Sequence, residues 1–483
     1  MKNNTISKGI FWKLLERFGV SGVQFILQII LARLLTPEHY GVLSIMIIFT
    51  TLANVFIQNG FNTALIQNKD VKEEDYSSVF WVSLGVSGVL YAAIFFASPL
   101  IARFYEMPEI VLPLRVLALI LFPGALNSVQ VAKVSREMDF RKVFYSNVGA
   151  VIVSGITGIT IAFLGGGLWA LVAQSMANVF VACIVMRFTS KLKLRLMCDF
   201  GRVKILFRFG WKLLVSSLID TLYQDLRSLV IGKKYDSGTL GYYNRGKQFP
   251  QLIINAINGA VQSVMLPAMS AEQDDRERVK KMMRTSITTS AYIIFPMMAG
   301  LAAVSTPLIS LLLTDKWLPA VPYMQIYCFI LAFYPVHTCN LQAINAMGRS
   351  DIFLKLEMVK KVVGVSFLLV AIFCFNSPIA IAMTGVITTV VSCFINSYPN
   401  KKLVNYSYFE QMKDILPSFV LSIAMFVAVF AVGMLNIHRI LILALQVTVG
   451  ISVYLVLSLI FKVKPFMMII ATAKSKIKSK KGA

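Results

Sequence analysis

The segment at residues 244–262 carries six carboxamide side chains in one line. Their spacings of 4, 3, 4, 3 and 4 residues place them on one face of a helix of about five turns, with Leu, Ile, Ala and Val opposite. Carboxamides donate and accept hydrogen bonds, which suits the hydroxyl groups of sugars. This amide stripe consists of Asn244, Gln248, Gln251, Asn255, Asn258 and Gln262.

Three other apolar segments carry shorter polar stripes with similar spacing. The first holds Arg17, Ser21, Gln24 and Gln28; the second holds Ser44, Thr51, Gln58 and Asn62; the third holds Ser217, Thr221, Gln224 and Ser228. A lone polar residue in a membrane helix usually contacts a neighbouring helix, but one neighbour cannot satisfy six amides. The stripes therefore predict a hydrated cavity, and a tightly packed polar core is the alternative.

We predict that the substrate pathway is lined by twelve of these side chains. They share a capacity for hydrogen bonding and a lack of charge. They are Ser21, Gln24, Gln28, Thr51, Gln58, Asn62, Gln224, Gln248, Gln251, Asn255, Asn258 and Gln262.

Four charged residues lie in or beside the striped segments: Arg17, Asp220, Arg227 and Arg245. Ionisable residues within membrane segments are functional candidates, because burying a charge in hydrocarbon is costly. Arginines beside polar walls suit an anionic diphosphate, which guanidinium groups bind with two parallel hydrogen bonds. For Arg227, an ion pair with Asp220 on the same helix face is the alternative. We predict that these four residues bind a diphosphate or relay charge.

The elements that position these residues are membrane helices. The chain has 483 residues, 57% of them hydrophobic and only 14% charged, with a mean hydropathy of +0.72. Continuous apolar runs of about 20 residues indicate an all-α polytopic membrane protein. About fourteen runs reach this length: 12–35, 41–66, 78–101, 111–132, 143–164, 168–188, 209–231, 243–269, 285–313, 321–345, 357–375, 379–396, 415–435 and 440–462.

The net charge of +24 is distributed along the chain in a way that fits a membrane protein. If the N-terminus is cytoplasmic, most lysines and arginines fall in or beside cytoplasmic segments, which is the positive-inside bias. Both termini are therefore predicted to be cytoplasmic, with the basic tail resting on anionic lipids. Binding of nucleic acid is not expected, because no folded soluble module is present to support it.

The sequence contains a weak internal repeat with an offset near 200 residues. The tetrapeptide Trp-Lys-Leu-Leu occurs at Trp12 and at Trp211. The loops before the second and the eighth apolar runs end at Gly41 and Gly241. We predict two six-helix lobes at residues 1–200 and 201–400, extra helices at 401–462 and a polybasic cytoplasmic tail at 463–483. Because six crossings is an even number, the lobes are parallel repeats, which place substrate sites at their interface.

Other chemistries have little support in the sequence. Six cysteines are scattered without a CxxC pair, and three histidines are isolated, so neither a metal site nor a disulfide framework is indicated. The outer loops are short and hold few, dispersed acids, which argues against an enzyme. Six tyrosines could stack on sugar faces, or they could be ordinary packing residues: Tyr223, Tyr242, Tyr243, Tyr323, Tyr327 and Tyr334.

Five stretches resemble a known family of transporters. They are "LARLLTPEHYGVLSI" from Leu31, "ALIQNKDVKEEDYSSVFW" from Ala64, "SREMDFRK" from Ser135, "GTLGYYNRGKQFPQL" from Gly238 and "MLPAMSAEQDDRERVKKM" from Met265. They resemble Wzx-like oligosaccharide flippases, or polysaccharide exporters, of the multidrug/oligosaccharidyl-lipid/polysaccharide superfamily. The branch that exports colanic acid or teichuronic acid is the most similar.

This resemblance implies two lobes around a central cavity that opens alternately to each side. It implies transport of undecaprenyl-diphosphate-linked oligosaccharides across the bacterial cytoplasmic membrane for surface polysaccharide biosynthesis. The expected partners are that lipid-linked substrate, membrane lipids, and polysaccharide polymerase or glycosyltransferases of the same pathway. No cofactor is expected, and the coupling ion, proton or sodium, stays open.

Two other functions are alternatives. A multidrug or toxin efflux antiporter shares the architecture, but it would favour an acid-rich, hydrophobic cavity for organic cations. A membrane glycosyltransferase or polymerase would need catalytic groups held near the membrane surface, commonly in sizeable loops. The amide-rich stripes and the short loops favour the flippase.

The topology makes a direct prediction. Reporter fusions at Asp236 and Asp275, which flank the eighth apolar segment, should report the outer side and the cytoplasmic side respectively, because the distribution of Lys and Arg orients every helix. Enzymatic reporters that are active on only one side of the membrane would measure this. The same side for both fusions would contradict the eighth crossing.

Overall fold

The computed structural model describes residues 19–58, 65–66, 71–435, 437–468 and 470–471. Within these ranges the chain is all-α, with short turns between helices and no β-strand. Contacts between Cα atoms divide it into two compact units, Met1–Gly241 and Tyr242–Ala483. The predicted lobe boundary near residue 200 came from the sequence repeat, and that division into domains stays a prediction.

The first unit contains eight labelled helices in its described part. A short 3-10 turn precedes α4 and another follows it, so that Pro108–Arg136 forms one nearly continuous helical segment. The helices are α1 (Gly19–Leu34), α2 (Pro37–Gln58), α3 (Glu73–Tyr105), α4 (Val111–Leu117), α5 (Leu121–Arg136), α6 (Phe140–Phe163), α7 (Leu168–Ser190) and α8 (Phe200–Lys234).

The helices that follow belong to the second unit, apart from the first turn of α9. A 3-10 segment, Asp315–Ala320, joins α11 to α12. The helices are α9 (Ser237–Ala271), α10 (Arg276–Ala303), α11 (Ser305–Leu313), α12 (Val321–Ala332), α13 (Tyr334–Ala346), α14 (Ser350–Cys374), α15 (Pro378–Ser397), α16 (Asn400–Leu403), α17 (Tyr408–Val432) and α18 (Arg439–Ile460).

Every predicted apolar run coincides with a helical segment, at least in its described part. By length and apolarity, ten helical segments in the described ranges could cross a membrane, and α1 is a shorter apolar helix. The helices α8, α9 and α14 fall outside that set because polar and charged residues interrupt their apolar surface. The all-α membrane fold is confirmed, and the exact number of fourteen crossings stays a prediction.

In the first unit, a buried ion pair fixes the beginning of α3 against α8. Asp75 is only 2% exposed, and its carboxylate accepts two hydrogen bonds from the Arg202 guanidinium, at 2.9 and 2.7 Å. Asp75 also accepts the backbone N–H of Lys72 at 2.8 Å, which caps the helix. Removing either partner of such a pair would leave the other charge buried and unpaired.

In the second unit, a related ion pair joins α10 to α17 with the charges exchanged. Here the arginine lies on the earlier helix: Arg284 Nε donates to Asp414 at 2.6 Å, and Arg284 also pairs with Glu410. The phenol of Tyr406 donates to the same Asp414 carboxylate at 2.7 Å. Burial, and then the hydrogen bond to Asp414, raises the pKa of Tyr406 above its usual value, so this donor stays protonated.

The two glycines that the repeat aligned lie at one close backbone crossing. A Cβ at Gly41 of α2 would lie 1.7 Å from the carbonyl oxygen of Ser237, at the start of α9. Reciprocally, a Cβ at Gly241 of α9 would lie 2.1 Å from the carbonyl oxygen of Pro37, at the start of α2. Only glycine therefore permits the first turns of α2 and α9 to pack this closely.

This crossing yields a stability prediction. Gly41→Ala and Gly241→Ala should each lower the free energy of unfolding by on the order of 1–3 kcal/mol, because backbone atoms must move to admit the methyl group. Thermal unfolding of the purified protein would measure the loss. Gly88→Ala in α3 is the matched control, since a Cβ there has no heavy atom within 4 Å. Equal stability of all three variants would show that the crossing is not tight.

Candidate functional site

The helix that carries the amide stripe begins at a capped turn. The Asp236 carboxylate accepts the backbone N–H and the hydroxyl of Thr239, each at 2.7 Å, and so satisfies a free donor at the start of α9. Burial alone would raise the pKa of Asp236, but the hydrogen bonds from Thr239 outweigh it and hold that pKa below its usual value. The carboxylate thus stays charged at the helix terminus.

The amide stripe lies beside the buried face of α9. Tyr243 and Ile254, on the buried face, are each 1% exposed. Asn255 and Gln262 are exposed, and the other four amides are half-buried. The predicted periodicity therefore separates a packed apolar side of α9 from an amide side that is accessible in part.

Two amides of the stripe hydrogen-bond to other side chains of the second unit. Gln248 Oε1 accepts from Arg245 Nη1 at 2.5 Å, and Asn258 Oδ1 accepts from the hydroxyl of Thr338 on α13 at 2.8 Å. Gln251, between them, has no side-chain hydrogen bond within the part of the chain that the structure describes. The stripe thus combines bonded amides with an amide, Gln251, that has unused hydrogen-bonding capacity.

Arg245 is held in an aromatic environment near the start of α9. Its guanidinium lies 5.3 Å from the centre of the Trp317 ring, and the residue is only 5% exposed. The backbones approach closely here, because a Cβ at Gly246 would lie 2.7 Å from the Ala320 carbonyl oxygen. The cation is therefore enclosed by α9 and the segment that leads into α12.

Three of the tyrosines proposed for sugar stacking form a buried cluster beside Arg245. The ring of Tyr243 packs edge-on against Tyr323 and Tyr327, each at a centroid distance of 5.7 Å, and the hydroxyls of Tyr243 and Tyr327 share a hydrogen bond. All three are buried. Their faces are thus covered by other protein groups in this structure, so they fit the packing alternative and not the sugar-stacking one.

The stripe of α8 belongs to the first unit. Gln224 is exposed, Asp220 and Arg227 are half-buried, and Ser228 is buried. Asp220 and Arg227 both have interactions with other groups. Their assignment to charge relay or diphosphate binding stays a prediction.

The stripes of α1 and α2 also belong to the first unit. Ser21, Gln24 and Gln58 are exposed, while Gln28 and Thr51 are half-buried. By contrast, the Ser44 hydroxyl donates to the carbonyl oxygen of Tyr40 on its own helix, at 2.7 Å. Two predicted residues, Arg17 and Asn62, lie outside the described residues.

Sequence reasoning did not anticipate a buried amide cluster in the second unit. Asn340 and Gln411 exchange two hydrogen bonds, at 2.7 and 3.0 Å, and Asn400 Nδ2 donates to Asn340 Oδ1 at 2.7 Å. All three residues are fully buried. The cluster joins α13, α16 and α17, so it fixes the helix that presents Thr338 to the amide stripe.

The described ranges contain no assembled metal site. No group of three or more His, Cys, Asp or Glu side chains there could hold a metal ion. His337 instead contacts Asn396, whose Nδ2 lies 3.2 Å from His337 Nδ1. Its other ring nitrogen lies 3.7 Å from the thiol of Cys393.

Comparison with known proteins gives a match to one family model over residues 30–322, and that family is described as "Polysaccharide biosynthesis protein". The match covers more than half of the 483 residues. It includes α2, α8 and α9, which carry three of the four stripes.

Two similar proteins align over most of the chain. The lipopolysaccharide biosynthesis protein WzxC of Escherichia coli (strain K12) is 23% identical over 90% of this chain and 88% of its own length. The teichuronic acid biosynthesis protein TuaB of Bacillus subtilis (strain 168) is 22% identical over 90% of both chains. A third, the succinoglycan biosynthesis transport protein ExoT of Rhizobium meliloti (strain 1021), is 26% identical over 66% of this chain and 65% of its own length.

Solved structures with a similar fold include the lipid II flippase MurJ in an inward closed conformation. That alignment covers 94% of this chain and 98% of MurJ, with a TM-score of 0.76 and 17% sequence identity. An inward-facing multidrug resistance MATE family transporter aligns over 82% of this chain and 99% of its own, with a TM-score of 0.62 and 16% identity. These similarities confirm the predicted fold class.

The exposed part of the amide stripe can be tested by chemical labelling. In a background without native cysteines, Cys at positions 251, 255 and 258 should react with a membrane-impermeant thiol reagent, because Gln251, Asn255 and Asn258 are predicted to face water. Cys at positions 253, 254 and 257 provides the control, as Ile254 is 1% exposed on the buried face beside the stripe. Mass spectrometry would quantify labelling. Equal labelling of both sets, or no reaction at position 255, would contradict the hydrated face.

Proposed function

We propose, because the chain belongs to the family of polysaccharide biosynthesis proteins, that it moves lipid-linked oligosaccharides across the bacterial cytoplasmic membrane. The substrate would be an undecaprenyl-diphosphate-linked sugar unit, and the product would supply surface polysaccharide biosynthesis. The names of the aligned proteins support this class of function: two are biosynthesis proteins for a lipopolysaccharide or teichuronic acid, and one is a succinoglycan transport protein. The function is transport, not enzymatic catalysis.

The amide stripe of α9 is the observation that carries the proposal. A sugar leaving water loses hydrogen bonds from each of its hydroxyls, and an unpaired polar group costs several kcal/mol in hydrocarbon (roughly 2–7). Gln251 and Asn255 are placed on the accessible side of α9, where each carboxamide offers both donors and acceptors. Such a surface replaces the lost hydrogen bonds without selecting one sugar strictly.

The passage of the substrate would use alternating access. In the proposed cycle, a central cavity lined by the four striped helices opens to one side of the membrane at a time. The lining would comprise the twelve predicted residues together with the charged candidates. This arrangement would keep the sugars in a polar environment throughout, while the lipid tail stays in the bilayer.

A diphosphate is the most difficult part of this substrate to move. Its charge needs a cation in the pathway, since desolvation without a partner would block passage. Arg17, Arg227 and Arg245 are the candidates. Arg245 is enclosed against Trp317 in this structure, so its guanidinium could meet a diphosphate only after α9 and the Trp317 segment separate. Arg227, which is half-buried, would need a smaller rearrangement.

The location and partners follow from the proposed reaction. A lipid-linked oligosaccharide is assembled on the cytoplasmic side, so the protein would reside in the inner membrane with both termini cytoplasmic. Enzymes that build the sugar unit, and a polymerase that extends it after transport, would act before and after this step. No observation on the chain favours efflux of cationic drugs, since the stripes bear amides and few acids.

The decisive experiment is genetic and biochemical. Removing the protein should cause an undecaprenyl-diphosphate-linked oligosaccharide to accumulate on the inner leaflet, which extraction and mass spectrometry would detect, and polysaccharide export should cease. Normal export without accumulation would exclude the proposed function. Accumulation of a drug in place of a lipid-linked sugar would favour the efflux alternative.

The same assay tests the role of Arg227. An isolated arginine in hydrocarbon costs at least ~2.5 kcal/mol on insertion scales, so it is retained for pairing or for an anion. Arg227→Ala should abolish export at normal membrane abundance. Arg227→Lys should retain part of it, because an ammonium keeps the charge but loses the two-pronged fit to phosphate.

The double variant with Asp220→Ala distinguishes the alternative. If Arg227→Ala lowers abundance, and the added Asp220→Ala restores both abundance and export, the two residues form only a structural ion pair. The diphosphate role would then pass to Arg17 or Arg245.

A further inference from the structure

A separate cavity of about 300 Å³ lies at one end of the helices in the second unit. It lies where α10 passes into α11 and where α17 turns into α18, and it is partly open to the surroundings. None of the predicted pathway residues lines it. Its polar lining consists of Thr306, Ser310, Asp315, Arg439 and Gln446, and its apolar lining includes Leu318, Phe430, Met434 and Ile442.

Gln446 lines this cavity with a buried side-chain amide. The residue is 1% exposed, and its Nε2 donates to the Val429 carbonyl oxygen at 3.1 Å. Among the described residues, its Oε1 has no hydrogen-bond partner. The amide fits closely against Gly433, where a Cβ would lie 2.6 Å from Nε2. A buried amide oxygen without a partner is costly, so the site calls for a ligand that carries an N–H or O–H donor.

The cavity also presents both signs of charge. Arg439 Nη1 lies 2.9 Å from Asp315 Oδ1 and also donates to Ser310, and both charged side chains are more than half exposed. In the described structure, the hydrogen bonds of Arg439 all come from Nη1. Because a guanidinium has five N–H donors, Nε and Nη2 can still bind an anion such as phosphate.

The surroundings of the cavity are apolar. Phe430 is 50% exposed and Met434 is 77% exposed, and both line the cavity near the end of α17. Exposed apolar side chains at the end of a membrane helix are suited to contact with acyl chains. The site thus combines an ion pair, a buried amide and an apolar wall near the end of α17 and the beginning of α18.

We propose that this cavity binds the headgroup of a zwitterionic phospholipid with a primary ammonium, of the phosphatidylethanolamine class. The phosphate would accept hydrogen bonds from Arg439, and the ammonium would donate to Asp315 and to Gln446 Oε1. The acyl chains would lie along Phe430 and Met434. Phosphatidylcholine cannot make the ammonium contacts because its nitrogen carries three methyl groups and no N–H. This lipid site is independent of the proposed transport function.

The test compares two lipids that differ only in the headgroup. Purified full-length protein is delipidated and then supplied with dioleoyl-phosphatidylethanolamine or dioleoyl-phosphatidylcholine, and native mass spectrometry quantifies the retained lipid. Loss of a hydrogen bond to a charged donor should reduce retention by about tenfold. We therefore expect phosphatidylethanolamine to be retained about tenfold better. Equal retention of the two lipids would overturn the proposal.

Two variants at one position separate binding from structure. Gln446→Leu and Gln446→Glu both lose the donor to Val429, but only Gln446→Glu keeps an acceptor for an ammonium. We expect the lipid preference to disappear in Gln446→Leu and to persist in Gln446→Glu. Thr448→Val is the control on the same helix, since Thr448 lies outside the cavity lining and bonds to its own helix. Loss of preference in both Gln446 variants would assign the residue to structure and overturn its binding role.

A soluble competitor identifies the source of the ligand. Glycerophosphoethanolamine has the same headgroup without acyl chains, so it should displace the lipid only at much higher concentration. Displacement at equal concentration would show a site for a soluble molecule and would overturn the lipid assignment. Because lipid retention is measured on purified protein, it succeeds or fails independently of the export assay.

Discussion

The reciprocal approach of two helix termini at Gly41 and Gly241 fixes where the striped helices α2 and α9 begin. Each glycine faces the carbonyl oxygen of the residue that starts the other helix, Ser237 or Pro37, at a distance that no Cβ permits. The polar side chains of α2 and α9 follow these first turns along each helix. A displacement of either turn would therefore shift every polar side chain farther along that helix. The close contact thus sets the register of the polar surface on both helices.

Each unit contains an ion pair that holds two helices together, Asp75–Arg202 in the first unit and Arg284–Asp414 in the second. The acid comes first along the chain in one pair, and the arginine comes first in the other. In each unit the pair joins the beginning of one long helix to a later helix that follows a basic or polar connection. The pair itself is worth little if its partners are replaced together, but leaving one charge alone is costly. An exchange of the two charges would therefore preserve such a pair only if both partners changed together.

Much of the fold could be predicted from the sequence, because long apolar runs and the spacing of polar residues are local signals. The helix bounds were less predictable: α3 begins at Glu73, not near residue 78, since a capping box extends it into charged residues. The repeat identified Gly41 and Gly241 as equivalent, but not their contact. The Asn340–Gln411 pair joins residues that lie 71 positions apart, and no local pattern predicts such a partner. The enclosure of Arg245 by Trp317 was missed for the same reason.

The amide stripe contains both hydrogen-bonded positions and accessible ones. Near its start, Arg245 holds Gln248, and farther along, Thr338 holds Asn258. Between them, Gln251 keeps capacity for another partner and Asn255 is exposed. A stripe that was bonded throughout would resist any opening of α9, whereas one without partners would be costly whenever water left it. If the stripe lines the pathway of the proposed transport, such a wall needs both kinds of position: amides that fix the helix, and amides that exchange one hydrogen-bond partner for another at little cost.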